Sequence, residues 1–384
     1  MMQPEGKKKV YFPNLNGIRF IAAFLIILHH AELLKFSAGL PNYWEAYPFF
    51  EMIGKQAVVL FFVLSGFLIT YLLLAEEHFF KRISIKNFYV RRILRIWPLY
   101  FLIIGLAYFV LPNIPAMVIP GHEKQVLYQQ LGLKLVLYVF FLANLVLAKF
   151  GIDPYVSQTW SIGTEEQFYL VWPVFLSKVK RNRLAIMFTV IFLYMAMERL
   201  LASSISDHWP QIDVLRSFWL LFNIDCMVIG AVFAVLLFRN HSLLRWLMQP
   251  VFFYVVLSIT CLLLILGIRL PVFQNEFYAI LFGVIILNFA ANKRNRISLE
   301  NRAFNFLGNI SYGMYMFHPI AILLAFGICT STGMMRNMTF YPLSVLLTIL
   351  FAAVSYYLFE RHFLKLKEKF SSIVSGNFFR RNAG

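Results

Sequence analysis

Arg19 and His30 lie in the stretch Gly17 to Glu32, GIRFIAAFLIILHHAE, where an arginine opens an otherwise apolar helix and a histidine pair closes it. At 100° per residue, the eleven steps from Arg19 to His30 close about three turns. Both side chains therefore share one helix face roughly 16 Å apart along the axis, with His29 turned about 100° away. A guanidinium binds phosphate bidentately, and an imidazole suits general-base or nucleophilic work. The apolar run between them reads as membrane-buried, which places His30 inside the bilayer, where an ionisable group is costly and marks function when it faces a polar cavity. The plainer alternative makes Arg19 a boundary anchor and His30 a neutral interhelical hydrogen-bond partner.

Other residues could join them. Asp225 is an acid within the apolar run LFNIDCMVIGAVFAVLLF and should face the bundle interior. In TWSIGTEEQFYLVWP, the residues Glu165, Glu166 and Gln167 lie at membrane depth, which suggests a site and not a lipid-facing helix. Arg91, Arg92 and Arg95 fall on neighbouring faces of one helix start, where they could fix topology, bind lipid headgroups or grip phosphate. Tyr312, Tyr315 and His318 recur every three residues along one helix side, with Pro319 expected to end or bend that turn.

The elements that must hold these groups are membrane helices. A chain of 384 residues that is 60% hydrophobic and 14% charged is no soluble globular domain. Its net charge of +17 would suggest nucleic acid in a soluble protein, but the basic residues sit in short clusters between apolar runs and act as topology signals. No nucleic-acid partner is expected. No removable signal peptide is expected, because no short apolar region with a small-residue cleavage site follows the N-terminal lysines. Cys226, Cys261 and Cys329 have no paired spacing, so neither a disulfide framework nor a metal site is indicated, and they read as small core residues.

Eleven apolar segments stand out, near 18–36, 56–75, 97–118, 131–149, 159–177, 184–202, 215–238, 250–268, 276–291, 306–328 and 340–360. If the basic clusters between them are all cytoplasmic, an even number of crossings must separate each pair, and the interval from Arg95 to Lys178 holds three segments. The expected fold is an all-α polytopic membrane helix bundle of about ten transmembrane helices plus one re-entrant or interfacial segment. That segment is either 131–149 or the more polar 159–177. In the second apolar segment, Ser65, Gly66 and Thr70 suit close helix contact. Both termini are expected on the cytoplasmic side, with residues 1–370 forming one membrane domain and 371–384 a basic, mobile tail.

The ordered set NGIRFIAAFLIILHH, FFVLSGFLIT, RRILRIWPLY, TWSIGTEEQFYLVWP, ISYGMYMFHP and YYLFERHFL resembles the acyltransferase-3 family of integral membrane O-acyltransferases that modify cell-surface glycans. The resemblance spans nearly the whole chain. It implies a bacterial inner-membrane enzyme with no permanently bound cofactor that takes an acyl group, acetyl or another short one, from cytoplasmic acyl-CoA. The acceptor would be a hydroxyl of an envelope polysaccharide or its lipid-linked precursor, taken directly or through a separate periplasmic partner. On this reading Arg19, Arg91, Arg92 and Arg95 hold the coenzyme A phosphates, and His30 is base or nucleophile with Glu165 or Asp225 as its carboxylate partner. Trp160, Ser161, Glu166, Tyr169, Tyr312, Tyr315 and His318 contact substrate.

Three positions depart from the family's usual pattern: Val59 in place of an acid, Asn223 in place of an arginine, and His362 in place of a proline. They bear on acceptor binding and local ion pairing more than on Arg19 and His30. The competing function is a transporter or flippase of lipid-linked saccharides, which would also need a polar cavity but no CoA thioester. A scaffold would leave its intramembrane charges an unexplained cost.

Overall fold

The computed structural model describes residues 8–117, 124–202 and 212–375. Among these, eight helical stretches are long and apolar enough to cross a membrane: Leu15–Ser37, Pro48–Phe80, Ile85–Asn113, Arg183–Leu201, Ile212–Phe238, Gln274–Ala291, Ser311–Ser331 and Asn337–Phe370. Two more expected spans form helices, one of 20 residues at Thr159–Lys178 and one of 16 at Pro250–Ile265. Large apolar side chains such as Leu170, Phe192, Val251 and Leu358 point outward, as a lipid-facing surface requires. The chain is an all-α polytopic membrane bundle.

We label the helices that carry the argument α1 (Leu15–Ser37), α2 (Pro48–Phe80) and α3 (Ile85–Gly105), followed by α4 (Leu131–Val139), α5 (Ala143–Phe150), α6 (Thr159–Lys178) and α7 (Arg183–Leu201). The remainder are α8 (Ile212–Phe222), α9 (Ile224–Phe238), α10 (Pro250–Ile265), α11 (Gln274–Ala291), α12 (Ser311–Ser331), α13 (Asn337–Ser355) and α14 (Arg361–Lys367).

Of the two candidates for a segment that fails to cross, the broken one is 131–149, not the more polar 159–177. At 1.5 Å per residue, α4 and α5 are about 14 and 12 Å long, well short of a hydrocarbon core of about 30 Å. Lys134 near the start of α4 pairs at 3.0 Å with Asp153 just past α5, so the hairpin begins and ends at one level. Its tip carries Phe141 at φ 57°, whose carbonyl accepts from Gln167 Nε2 at 2.9 Å. Gly163 of α6 permits this approach, because a Cβ there would lie 2.8 Å from that carbonyl oxygen. Gln167 of α6 is therefore spent on protein and not on lipid.

The seventh apolar segment is also interrupted. Asn223, at φ 29°, separates α8 from α9 two residues before Asp225. Its backbone N–H donates to Tyr194 Oη at 2.9 Å, and its amide oxygen accepts from Asn275 at 2.7 Å, so the break is hydrogen-bonded within the bundle. In contrast, Pro319 does not end its helix, and α12 runs on to Ser331.

Gly66 and Gly230 bring α2 and α9 into backbone contact. A Cβ at Gly66 would meet the Met227 carbonyl oxygen at 1.9 Å, and one at Gly230 would meet that of Val63 at 2.0 Å. Lipid supplies no hydrophobic drive between helices, so such close approach is where dispersion contacts accumulate.

The basic clusters of the N-terminal strand, of α3 and of the C-terminal segment meet. Lys8–Val10 pairs as a parallel strand with Ile373–Ser375, and Arg91 donates to the Phe370 carbonyl at 2.9 Å. The first residues of the expected mobile tail are therefore tied down, and residues 376–384 lie outside those described. The cysteines are free, with Cys226 and Cys329 buried and Cys261 exposed on the outer surface.

Candidate active site

Faces of five helices and the end of α14 line a cavity of about 160 Å³. At 10–15 Å³ per water this is room for roughly ten waters, the scale of a ligand chamber and not of a single solvent site. Each helix contributes at its own period. Arg92, Arg95 and Ile96 come from α3, and Ser161, Glu165 and Tyr169 recur every four residues on α6. Phe61, Ser65 and Leu68 line it from α2, and Ser311, Tyr312 and Tyr315 from α12. Arg19 of α1 and Lys367 of α14 complete the wall.

The charges are unbalanced. Among the described residues no acid lies within 4.0 Å of Arg19, Arg92 or Arg95. Arg19 donates to Asn16 Oδ1 at 2.9 Å, and the Arg92 guanidinium stands 5.6 Å from the Tyr169 ring. The buried Arg92 Nε has no partner among these residues. Glu165 is the one carboxylate lining the cavity, within electrostatic reach of all three arginines. It accepts from Tyr169 Oη at 2.7 Å, so Ser65, which touches that same phenol oxygen, donates to it. A wall with four cations and one acid is built to hold an anion.

The other end is aromatic. Tyr315 Oη sits 2.7 Å from Ser161 Oγ and 2.8 Å from the Gln158 carbonyl. Its ring centroid lies 5.7 Å from that of His318, which lies 4.7 Å from that of His30. His30 is in turn 4.7 Å from His29. Three imidazoles thus continue the line of the cavity beyond Tyr315. Gly54 makes room for His29, since a Cβ there would fall 2.3 Å from the ring. His29 Nδ1 is 2.7 Å from the Phe50 carbonyl and His30 Nδ1 is 3.0 Å from that of Ile26. A carbonyl only accepts, so both rings carry their proton on Nδ1, and His30 Nε2 is left as a bare acceptor.

The residues singled out in the sequence divide accordingly. Arg19, Arg92, Arg95, Ser161, Glu165, Tyr169, Tyr312 and Tyr315 line one cavity, with His318 and His30 behind it. Arg91 turns away and pairs with Glu76 at 3.2 Å. Glu166 faces α3, accepting from Trp97 Nε1 at 3.0 Å, and Trp160 packs edge-on against Phe62. Neither Glu165 nor Asp225 is among the hydrogen-bond partners of His30. Asp225 belongs to a separate group of acids, in which its carboxyl lies within electrostatic reach of those of Glu276 and Glu198. Lys367, Glu198 and Glu276 were not singled out. Lys367 is one lysine of the run LKLKEK, where spacing alone does not tell a cavity residue from a solvated one.

The model of the family described as an acyltransferase domain, Acyl_transf_3, matches residues 12–357. The peptidoglycan O-acetyltransferase OatA of Listeria monocytogenes is 29% identical over 174 residues, 43% of this chain and 24% of that protein. The O-acetyltransferase OatA of Staphylococcus aureus is 30% identical over 173 residues, again 43% and 24%. YrhL of Bacillus subtilis, provisionally named a peptidoglycan O-acetyltransferase, is 26% identical over 382 residues, 91% of this chain and 54% of its own length. The chain thus spans between a quarter and about half of the curated relatives it matches. No solved structure matches it.

Proposed function

Since the chain belongs to the acyltransferase-3 family, we propose that it is a membrane O-acyltransferase moving an acetyl or other short acyl group from acyl-CoA to a hydroxyl of an envelope polysaccharide. Peptidoglycan or its lipid-linked precursor is the leading acceptor, in keeping with the names of the relatives. The observation that carries this reading is the cation surplus of the cavity and its alignment with the histidines. Arg19, Arg92, Arg95 and Lys367 would bind the anionic groups of the donor, guanidinium forks being suited to phosphate. An extended thioester arm would run along α1 toward His30, about 16 Å away by helical rise. In this orientation the basic end faces the cytoplasm of a bacterial inner membrane and the acceptor arrives from the other side.

Within that frame His30 Nε2 is the base. It takes the acceptor proton while the hydroxyl oxygen attacks the thioester carbonyl, and Tyr315 and Ser161, hydrogen-bonded to each other and to the Gln158 carbonyl, shape that end of the cavity. Glu165 limits repulsion among the arginines, and Tyr312, fixed by its hydrogen bond to the Ile96 carbonyl at 2.9 Å, shapes the wall.

The test is transfer of label from radioactive acetyl-CoA in membranes carrying the wild type, His30→Ala or Arg19→Ala, followed into glycan and into protein. Donor-dependent labelling of glycan that vanishes in His30→Ala is the expected result. Label trapped on wild-type protein would make His30 a nucleophile. No His30-dependent labelling with native acceptors present would shift the reading to a saccharide transporter.

A further inference from the structure

Helix α1 ends at Ser37, about 27 Å beyond Arg19 at 1.5 Å per residue, so the loop that follows lies at the far end of the helix from the arginines. His30 is only about 10 Å short of that end by the same rise. His29 and His30 both keep part of their surface exposed, whereas His318 is fully buried. For a molecule too large to enter the bundle, the loop side is the short way to His30. The loop, residues 38–47, reads AGLPNYWEAY and is held at fixed points. The Tyr43 N–H donates to the Glu32 carboxylate, which is fully buried and paired with Lys35 at 2.7 Å. The Trp44 N–H donates to Asn42 Oδ1 at 2.9 Å, and the Tyr47 N–H to the Tyr43 carbonyl at 2.9 Å. Rings carried on a backbone tied in this way lose little freedom when a ligand settles on them.

Three aromatic side chains stand on this loop. Tyr43 and Tyr47 meet edge to face at 5.6 Å and are 41% and 56% exposed. The Trp44 ring lies 5.1 Å from that of His29 and stacks at 6.1 Å on Phe36. An indole serving as a membrane-interface anchor sits among lipid headgroups, and this one is turned against the histidine pair instead. Among the described residues the Trp44 indole N–H, the Tyr43 and Tyr47 hydroxyls and the exposed Glu45 carboxylate have no hydrogen-bond partner. No Lys or Arg occurs between Lys35 and Lys55, and Lys35 is committed to Glu32. Aromatic faces beside free polar tips suit an uncharged sugar ring, whose partly positive C–H face packs on a π face and whose hydroxyls take the donors and acceptors around it. A phosphate or a uronate would find no countercharge on the loop.

We propose that the loop between α1 and α2 is the acceptor subsite, where Tyr43, Trp44 and Tyr47 stack on uncharged sugar rings of the glycan. This rests on the O-acyltransferase reading above and deepens it by naming the part of the acceptor that is gripped and the residues that grip it. Trp44 joins the subsite to the chemistry, because it packs on His29 and the His29 ring is 4.7 Å from that of His30. A glycan seated here does not have to pass the arginines. Donor and acceptor thus approach His30 from opposite ends of α1, and the aromatic loop does for the sugar what the cation-rich cavity does for the donor.

The experiment has two arms. In the first, uncharged oligomers of N-acetylglucosamine are titrated into the purified full-length protein in detergent while indole fluorescence is followed. A saturable change is expected in the wild type, absent in Trp44→Phe and about tenfold weaker in Tyr47→Leu, which keeps every tryptophan. A flat wild-type titration would overturn the subsite, as would a wild-type response in both variants. The second arm follows label from acetyl-CoA into added glycan strands in membranes carrying Tyr47→Phe or Tyr47→Leu. Phenylalanine keeps the π face, and leucine keeps only apolar surface. Acceptor KM should stay within about twofold in Tyr47→Phe and rise about tenfold in Tyr47→Leu, with donor KM within about twofold in both. Equal acceptor KM in the two variants would make the loop a membrane-interface anchor and refute the proposal. Transfer that survives His30→Ala would sink the reading of the whole site. Transfer lost in His30→Ala beside an unchanged Tyr47→Leu would sink only this one.

Discussion

Buried cations occur in two kinds of place in this bundle. Around the rim and the hairpin each meets its own acid: Lys134 with Asp153, Lys35 with Glu32, Arg183 with Glu77 and Arg91 with Glu76, all within 3.2 Å. In the cavity, Arg19, Arg92, Arg95 and Lys367 share one carboxylate, Glu165. The first arrangement is complete, because removing either partner leaves a charge in a poorly solvated place. The second is incomplete, and an arriving anion would complete it. The distinction separates charges that hold the fold from charges available to a substrate, although both look alike as Lys or Arg beside an apolar run.

The largest expected effect comes from breaking a completed pair. Asp153→Ala would strand Lys134, which is 3% exposed, and leave the Tyr108 hydroxyl without its acceptor. A buried pair broken on one side costs about 3–5 kcal/mol. The thermal midpoint of the detergent-solubilised protein should fall sharply, and an unchanged midpoint would mean that the hairpin is not held by this pair. Arg95→Ala reverses the pattern. It removes one of several crowded cations, so the midpoint should hold or rise, while donor KM should increase about 10- to 100-fold, the worth of a charge-assisted hydrogen bond of about 1.5–3 kcal/mol. Loss of stability without a change in donor KM would place Arg95 with the structural group.

Asp225 sharpens the contrast from the opposite sign. It lies within electrostatic reach of Glu276 and Glu198, and Lys55 and Arg199 are close by at the cavity that Glu198 lines. In the sequence it stood equal to Glu165 as a candidate partner for His30, since both are acids at membrane depth. Asp225→Asn keeps the shape and should leave donor KM within about twofold, whereas Glu165→Gln, which removes the only acid among the arginines, should shift it several-fold. A matching change in both would mean that the two acids belong to one electrostatic unit.

Much of this architecture was legible because lipid makes composition decisive. The apolar runs mark the helices, and the i, i+4 spacing of Ser161, Glu165 and Tyr169 put one face of α6 on the cavity. What was hidden depends on contacts between distant residues. The hairpin break at 131–149 is fixed by Lys134 meeting Asp153 and by Phe141 meeting Gly163, and neither pairing can be read from local hydropathy. Helical phase decides that Arg92 and Arg95 enter the cavity while Arg91 does not, but that phase follows from where α3 begins. No carboxylate hydrogen-bonds His30 among the described residues, and the ring beside it is His318, oriented by the carbonyl that Pro319 frees, a contact between helices that spacing does not show.

The smallest effect should come from Arg91, and it divides the arginine cluster most finely. Its guanidinium pairs with Glu76 and donates to the Phe370 carbonyl, three residues past Lys367 on the segment that closes the basic end. Arg91→Gln therefore leaves every cation of the cavity wall in place and loosens only the segment that carries one of them. Donor KM should rise by no more than about threefold, and Lys367→Gln should produce a similar rise by removing the ammonium itself. Because both act through one side chain, the double variant should be no worse than Lys367→Gln alone, a non-additivity that a double-mutant cycle on donor KM reads directly. Additive losses would give Arg91 its own contact with the donor and return it to the group of three.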